Sequence, residues 1–332
     1  MAKLRKIEKG DTISVIAPAN SMSSMPRRLI QMGVRRLKAL GYGVEFGRNT
    51  LNKGVHGVDH LENRLTDFHR ALENPRTAGI MAVFGGYNSS SLLDQLDYRK
   101  VVSARKLIIG YSDITALLNG IHKKTGLKTL HGVSFANFCD PNMFEATIQS
   151  FLSILAGESG IELTAPPMSA DDAWYLKNEF GPRDPYRHPG WIAVRQGHAS
   201  GKMVGGNLET LLALAGTPYF PEFKDHLLLI ENGEKTTPGE FVRQMTQLGQ
   251  MGVLSSIRGL IVGQFPRSSC LSRSDIAKVI VDRMTRRFGY PCIINANFSH
   301  VDPIYSIPIG ARTEIQATSN KVIIRITESI YH

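Results

Sequence analysis

Residues 107–115 run Leu107-Ile108-Ile109-Gly110-Tyr111-Ser112-Asp113-Ile114-Thr115. Leu107, Ile108 and Ile109 form an apolar run that stops at Gly110, the pattern of a buried strand. From Ile114 onward, Leu117, Leu118 and Ile121 recur at i, i+3, i+4 and i+7, one face of a helix. Only Tyr111-Ser112-Asp113 separates the two elements. So tight a turn pushes the serine hydroxyl into the open, beside the free N–H groups of the helix's first turn, which stabilise an anion. This is the logic of a nucleophile elbow, with Ile114 standing where the G-x-S-x-G pattern has its last glycine. Taken by itself, Ser112 or Asp113 has a plainer role as the helix N-cap.

Outward from this turn, strands and helices alternate. Strands are expected over 12–17, 43–46, 79–84 and 128–131. Helices are expected up to Leu40, over 61–72, in a short piece ending near Leu96, and over 143–155. That alternation predicts a parallel, doubly wound sheet of flavodoxin or Rossmann type over residues 1–160, with its chemistry at the carboxyl ends of the strands. Gly85-Gly86 and Ser112 both stand at such ends. In residues 161–200, Pro166-Pro167, Gly181-Pro182, Asp184-Pro185 and His188-Pro189 break long elements, predicting a linker of irregular loops. Its aromatics, Trp174, Tyr175, Phe180, Tyr186 and Trp191, either pack or line a cleft. Residues 201–332 predict a smaller α/β domain with a β-rich core, closing in a hairpin within 307–326 that turns near Asn320.

The chain has 332 residues, 42% hydrophobic and 20% charged, the proportions of a globular protein large enough for two domains. No apolar run approaches the ~20 residues of a membrane span. The charged start, Met1 to Gly10, lacks the apolar core of a secretory signal. Cys139, Cys270 and Cys292 are widely spaced, which fits a reducing cytoplasm and indicates neither a disulfide framework nor a metal site. No metal and no cofactor is expected. The net charge of +10 raises a nucleic-acid partner. The basic clusters Arg35-Arg36 with Lys38 and Arg286-Arg287 lie on expected helix faces without interleaved aromatics, however, so neither nucleic acid nor membrane is expected to bind.

A serine hydroxyl becomes a nucleophile when a histidine takes its proton, and a carboxylate fixes that histidine's tautomer. His131 ends a strand in the first half, and His226 begins one in the second. His300 lies just past a strand, flanked by Phe298-Ser299 and Val301-Asp302-Pro303, a setting common to catalytic loops. Glu231 follows the apolar run 227–230, where a buried carboxylate needs a partner. Glu234 is its rival on position.

Five stretches together resemble the serine LD-carboxypeptidases, the group that includes the microcin C self-immunity peptidases. They are Gly10-Asp-Thr-Ile-Ser-Val-Ile-Ala-Pro18, Gly85-Gly-Tyr-Asn-Ser-Ser-Ser-Leu-Leu93, Ile109-Gly-Tyr-Ser-Asp-Ile-Thr-Ala-Leu-Leu118, Gly205-Gly-Asn-Leu208, and Ser299-His-Val-Asp-Pro303 running on to Ile307-Pro-Ile-Gly310. The resemblance implies Ser112 as nucleophile, His300 as general base and Glu231 as the acid that orients it. It also implies an oxyanion hole from the backbone N–H groups of Gly86 and Asp113, and a homodimer. Phe84 before the glycines and Asn88-Ser89-Ser90-Ser91 after them look more like the self-immunity branch than the murein-recycling one. The expected substrate is therefore a small peptide or peptidyl-nucleotide conjugate, with murein tetrapeptide as the alternative. Gly85, Tyr87 and Asn88 are candidate substrate-binding residues, as are Trp174, Tyr186 and Trp191, whose rings suit stacking on a base. An expectation from another class is a non-catalytic protein that holds a phosphate or carboxylate at helix N-termini.

Overall fold

The computed structural model describes residues 3–174, 182–273 and 275–332. In the first half, β1 (Thr12–Ile16), β2 (Gly43–Phe46), β3 (Thr77–Ala82), β4 (Leu107–Gly110) and β5 (Thr129–His131) pair in parallel. The sheet is parallel and doubly wound, as the sequence predicts, and its order β2-β1-β3-β4-β5 is the flavodoxin-like one of the two types expected. β3 and β4 are buried along their whole length, which is why they are continuous apolar runs without alternation. The connecting helices are α1 (Arg27–Ala39), α2 (Leu61–Glu73), α3 (Tyr98–Ala104), α4 (Thr115–Thr125), α5 (Phe135–Phe138) and α6 (Glu145–Ala156). The sequence reading lacks α3. It spans two turns and buries only Val101, so it shows no periodicity, and the Asp97 side chain caps it by accepting from Arg99 and Lys100 N–H.

The second half holds β6 (Ile161–Leu163), β7 (Met168–Ser169), β8 (Tyr186–Arg187), β9 (Ile192–Arg195) and β10 (Gly197–Asn207). There follow α7 (Leu208–Ala213), β11 (Leu227–Glu231), α8 (Pro238–Gln250), α9 (Val253–Ser256), β12 (Gly259–Gly263), α10 (Ile276–Thr285) and β13 (Cys292–Ala296). β14 (Ile307–Ile309), β15 (Arg312–Ala317) and β16 (Val322–Ile326) end the chain. The second sheet runs β6-β16-β15-β10-β11-β12-β13-β9. Its centre, β10 to β13, is parallel, and its flanks are antiparallel.

Two expectations change here. Residues 161–200 are not all irregular: β6 and β9 are the two edge strands of the second sheet, too short and too exposed to show alternation. Ile307–Ile309 does not belong to the final hairpin, which is β15 with β16. It pairs antiparallel with β5 and becomes the sixth strand of the first sheet, Ile307 opposite His131. One core cluster accordingly spans both halves, from Ile80, Ile109 and Leu117 to Met203, Leu227, Ile293 and Phe298.

Candidate active site

The turn after β4 decides where Ser112 points. Tyr111 is extended, and Ser112 takes φ +61°, the left-handed region that a side chain adopts only under constraint, at a cost of order 1–3 kcal/mol. A single 3-10 turn follows, closed by Ile114 N–H donating to Tyr111 O at 3.2 Å, and α4 starts directly behind it. Neither Ser112 nor Asp113 caps the helix, contrary to the plainer expectation. The Asp113 carboxylate accepts from Ser89 N–H at 2.9 Å, and its carbonyl accepts from the Ser89 hydroxyl at 2.6 Å. Asp113 thus ties the loop after β3 to the serine turn. From beneath, buried Arg64 donates to the carbonyls of Pro18 at 2.8 Å and Asn88 at 3.1 Å, holding the same loop. Gly85 must be glycine here: a Cβ would stand 2.9 Å from Ser112 Oγ and 3.1 Å from Asp113 N.

Glu231 is the last residue of β11, and its side chain is fully buried. His300 lies on the loop that follows β13, with 24% of its side chain exposed. Its Nδ1–H donates to Glu231 Oε2 at 2.7 Å, which leaves Nε2 as an acceptor 3.0 Å from Ser112 Oγ. The other carboxylate oxygen of Glu231 accepts from Asn207 Nδ2 at 3.1 Å. Burial pulls the His300 pKa down, but the Glu231 carboxylate more than offsets this, and the imidazole ends above its ordinary value. Burial likewise pushes Glu231 up. The charge and hydrogen bond of His300, with the Asn207 hydrogen bond, outweigh that effect, and the carboxyl ends below its ordinary value, ionised. A hydroxyl, an imidazole aimed at it and an ionised carboxylate behind the imidazole form an arrangement that can activate a serine once the imidazole has lost its proton.

The structure brings Ser112, His300, Glu231, Gly85 and Asp113 together. The loop after β3 carries Gly86, at φ +159°, and then Tyr87 and Asn88, both exposed, with Tyr87 at 76%. The Tyr186 hydroxyl accepts from Gln264 Nε2 at 3.2 Å, and the Gln264 carbonyl accepts from Ser299 Oγ, so Tyr186 is wired to the His300 loop. Arg267 lies over the Tyr186 ring at 3.9 Å. Trp174 is half-buried against the core. Trp191 stands apart: it is buried, donates its indole N–H to Asn297 Oδ1 at 2.7 Å and packs edge-on against Tyr305. Tyr175 and Phe180 lie outside the described residues. Of the other histidines, His226 faces the Lys224 carbonyl, and His131 lies behind the site, bonded to the Phe298 carbonyl. Sequence reasoning missed Asn207 as the second partner of Glu231. The Gly205-Gly206-Asn207-Leu208 motif was its signal, a motif without an assigned role. Among the described residues, no group of three or more His, Cys, Asp or Glu side chains is placed to hold a metal ion, and no helix is long and apolar enough to cross a membrane.

This is a mixed α/β fold of two sheets, with Ser112 of the first beside Glu231 and His300 of the second. Residues 13–132 match the LD-carboxypeptidase N-terminal domain and residues 200–315 the LD-carboxypeptidase C-terminal domain. The chain therefore belongs to the LD-carboxypeptidase family and is a serine peptidase. It is 35% identical to the carboxypeptidase-class protein YocD of Bacillus subtilis (strain 168), over 95% of this chain and 96% of that one. The crystal structure of an MccF-like protein from Bacillus anthracis superposes with a TM-score of 0.94 at 33% identity, covering 98% of this chain and 99% of the other. The microcin C7 self-immunity protein MccF of Escherichia coli is 28% identical over 95% of this chain and 93% of its own. Its structure in complex with aspartyl sulfamoyl adenosine superposes with a TM-score of 0.90, at 27% identity and 99% coverage of both chains. Membership of a peptidase family sets aside the non-catalytic binder.

Proposed function

We propose that Ser112, His300 and Glu231 form the catalytic triad of a carboxypeptidase-type amide hydrolase, and that its substrate is a small aminoacyl- or peptidyl-nucleotide conjugate. One observation carries the mechanism: side chains 188 and 69 residues apart meet at 3.0 Å and 2.7 Å, in the order hydroxyl, imidazole, carboxylate. Ser112 Oγ attacks the carbonyl carbon of the scissile amide while His300 Nε2 takes its proton. Glu231 stabilises the imidazolium and holds its Nδ1–H. The carbonyl oxygen, now an oxyanion, faces the N–H groups of Gly86 and Asp113. The tetrahedral adduct collapses as His300 returns the proton to the leaving nitrogen. Water then releases the acyl group from Ser112, with His300 again acting as base.

The substrate class is supported by the likeness to MccF, whose complex holds aspartyl sulfamoyl adenosine. The exposed loop Tyr87-Asn88 beside Gly86 would contact such a ligand, with Tyr186, tied through Gln264 to the His300 loop, as a candidate stacking partner. The protein would act as a cytoplasmic homodimer. A murein tetrapeptide is the second reading, favoured by the family's LD-carboxypeptidase description. Incubation with each compound, followed by mass spectrometry, decides between them: release of aspartate from aspartyl sulfamoyl adenosine is expected. Cleavage of the tetrapeptide alone would refute the nucleotide reading and leave the triad standing.

A further inference from the structure

Ser112 belongs to one sheet and its partners to the other, so their alignment depends on whatever holds the two sheets in register beside the site. The packing there is polar. Just past the Ser112 turn, Thr115 and Asn119 share one face of α4, and both are fully buried. Thr115 Oγ1 accepts from Asn207 N–H at 2.9 Å. Asn119 pairs with Gly205 in both directions, Nδ2 to its carbonyl at 2.8 Å and Oδ1 from its N–H at 3.0 Å. His131, fully buried at the end of β5, donates Nε2–H to the Phe298 carbonyl at 2.8 Å, two residues before His300. Its ring meets the Phe298 ring edge-on at 5.8 Å. The row closes at Gly206, where a Cβ would stand 2.4 Å from Thr115 Oγ1 and 3.1 Å from His131 Nδ1.

His131 is an expensive residue for such a place. Its Nδ1 is buried without a hydrogen-bond partner, a cost that an apolar side chain of similar volume would avoid. Burial also keeps the imidazole neutral, so it does not compete with His300 for the Glu231 carboxylate. What remains for the histidine to contribute is the Nε2–H bond, and that bond fixes the start of the loop carrying His300.

We propose that His131, with Thr115 and Asn119, is a positioning device for the proton transfer between Ser112 and His300. It acts through the Phe298 carbonyl and the Gly205–Asn207 backbone, and it rests on the triad reading above. It touches no substrate.

Reaction with an alkyl fluorophosphonate reads this step without depending on the natural substrate. Ser112 Oγ forms a bond to phosphorus, fluoride leaves, and the serine proton passes to His300. His131→Leu is expected to melt cooperatively and to label about a hundredfold more slowly, the penalty of roughly a 1 Å misalignment. His131→Gln, whose amide N–H can reach the Phe298 carbonyl, is expected to recover to within about fivefold of the unaltered rate. Thr115→Val, nearly isosteric, is expected to label about tenfold more slowly. Labelling of folded His131→Leu at the unaltered rate overturns the proposal, and so do equal losses in the Leu and Gln variants. If His131→Leu does not fold, Thr115→Val decides, with an unaltered rate overturning the proposal. His300→Ala separates the two readings. Fast labelling of that variant, or none of Ser112 in the unaltered protein, sinks the triad and this proposal with it. Slow labelling of His300→Ala beside fast labelling of His131→Leu sinks the positioning role alone.

Discussion

His300 and Asp302 stand two residues apart on one loop and join opposite kinds of charged cluster. His300 meets a single carboxylate, Glu231, and keeps its Nε2 for a hydroxyl. Asp302 meets Arg183, a side chain only 5% exposed that also holds Asp140 and Asp172. Nε of Arg183 donates to Asp172 at 2.9 Å, Nη2 to Asp302 at 2.9 Å and Nη1 to Asp140, while Phe144 covers the guanidinium. In the first cluster, one nitrogen is left over and aimed at a nucleophile. In the second, all three guanidinium nitrogens are committed, so the arginine can only fasten. It binds residues 172 and 183 to the loop carrying His300, beside the Ala170–Asp302 bridge. Burial of charge is common to both, and the difference in spare capacity separates chemistry from anchorage.

That contrast can be broken most severely at the first cluster. Ser112→Ala and His300→Ala are each expected to lower kcat by about 10⁴-fold or more while the protein still melts cooperatively. Hydrolysis at the unaltered rate by either variant would remove the distinction drawn here. Gly85→Ala comes next, since its methyl group would stand 2.9 Å from Ser112 Oγ and beside Asp113 N. We expect about a hundredfold loss of kcat, comparable to losing an oxyanion donor, and a fully active variant would place the oxyanion elsewhere.

The pH profile sharpens the comparison. Only neutral His300 can accept the serine proton, and Glu231 stabilises the protonated form, so kcat/KM should fall as pH drops through a value above the ordinary ~6.5 of histidine. Glu231→Gln should move that acid limb to lower pH as well as lowering the plateau. An unmoved limb would mean that another group titrates.

At the second cluster the effects should appear as stability. Arg183→Met strands three carboxylates and is expected to cost about 3–5 kcal/mol in urea unfolding. The smallest effect concerns Asp302, whose carboxyl burial pushes up to about 6, with Arg183 opposing. Its folded pKa lies above the unfolded ~3.9, so the folded state keeps a proton that the unfolded state has lost. The stability this contributes is therefore fully present below about pH 4 and falls away as pH rises through about 6. Asp302→Asn should flatten that part of the stability curve, and an unchanged slope would assign the titration to another acid.

Much of the first half was legible because its information is local. An apolar run ended by glycine, three residues of turn and a helical face describe Leu107 to Ile121 without reference to the rest of the chain. The same holds for the strand end at Glu231 and for the β15–β16 hairpin, while β3 stops at Ala82, two residues short of the expected Phe84. Short elements escaped: α3 buries a single side chain, and β6 and β9 draw their order from β16 and β13, which lie far away in sequence. Trp191 looked as suitable a stacking platform as Trp174, because composition does not reveal that its N–H is spent on Asn297. Arg183 sat unnoticed among prolines, since a buried arginine is recognisable only by the acids around it.

By itself, the amino-acid sequence determined a parallel, doubly wound sheet, a serine at the end of one of its strands, and candidate acids and histidines near strand ends of a second unit. These follow from periodicity and turn chemistry, which act over a few residues. Tertiary structure alone decided that the three side chains meet, that Ile307–Ile309 crosses to the first sheet, and that Asn207 and His131 stand behind Glu231 and His300. Distances of about 3 Å between residues 69 to 188 positions apart are set by how two sheets pack, and no local pattern of residues records that packing.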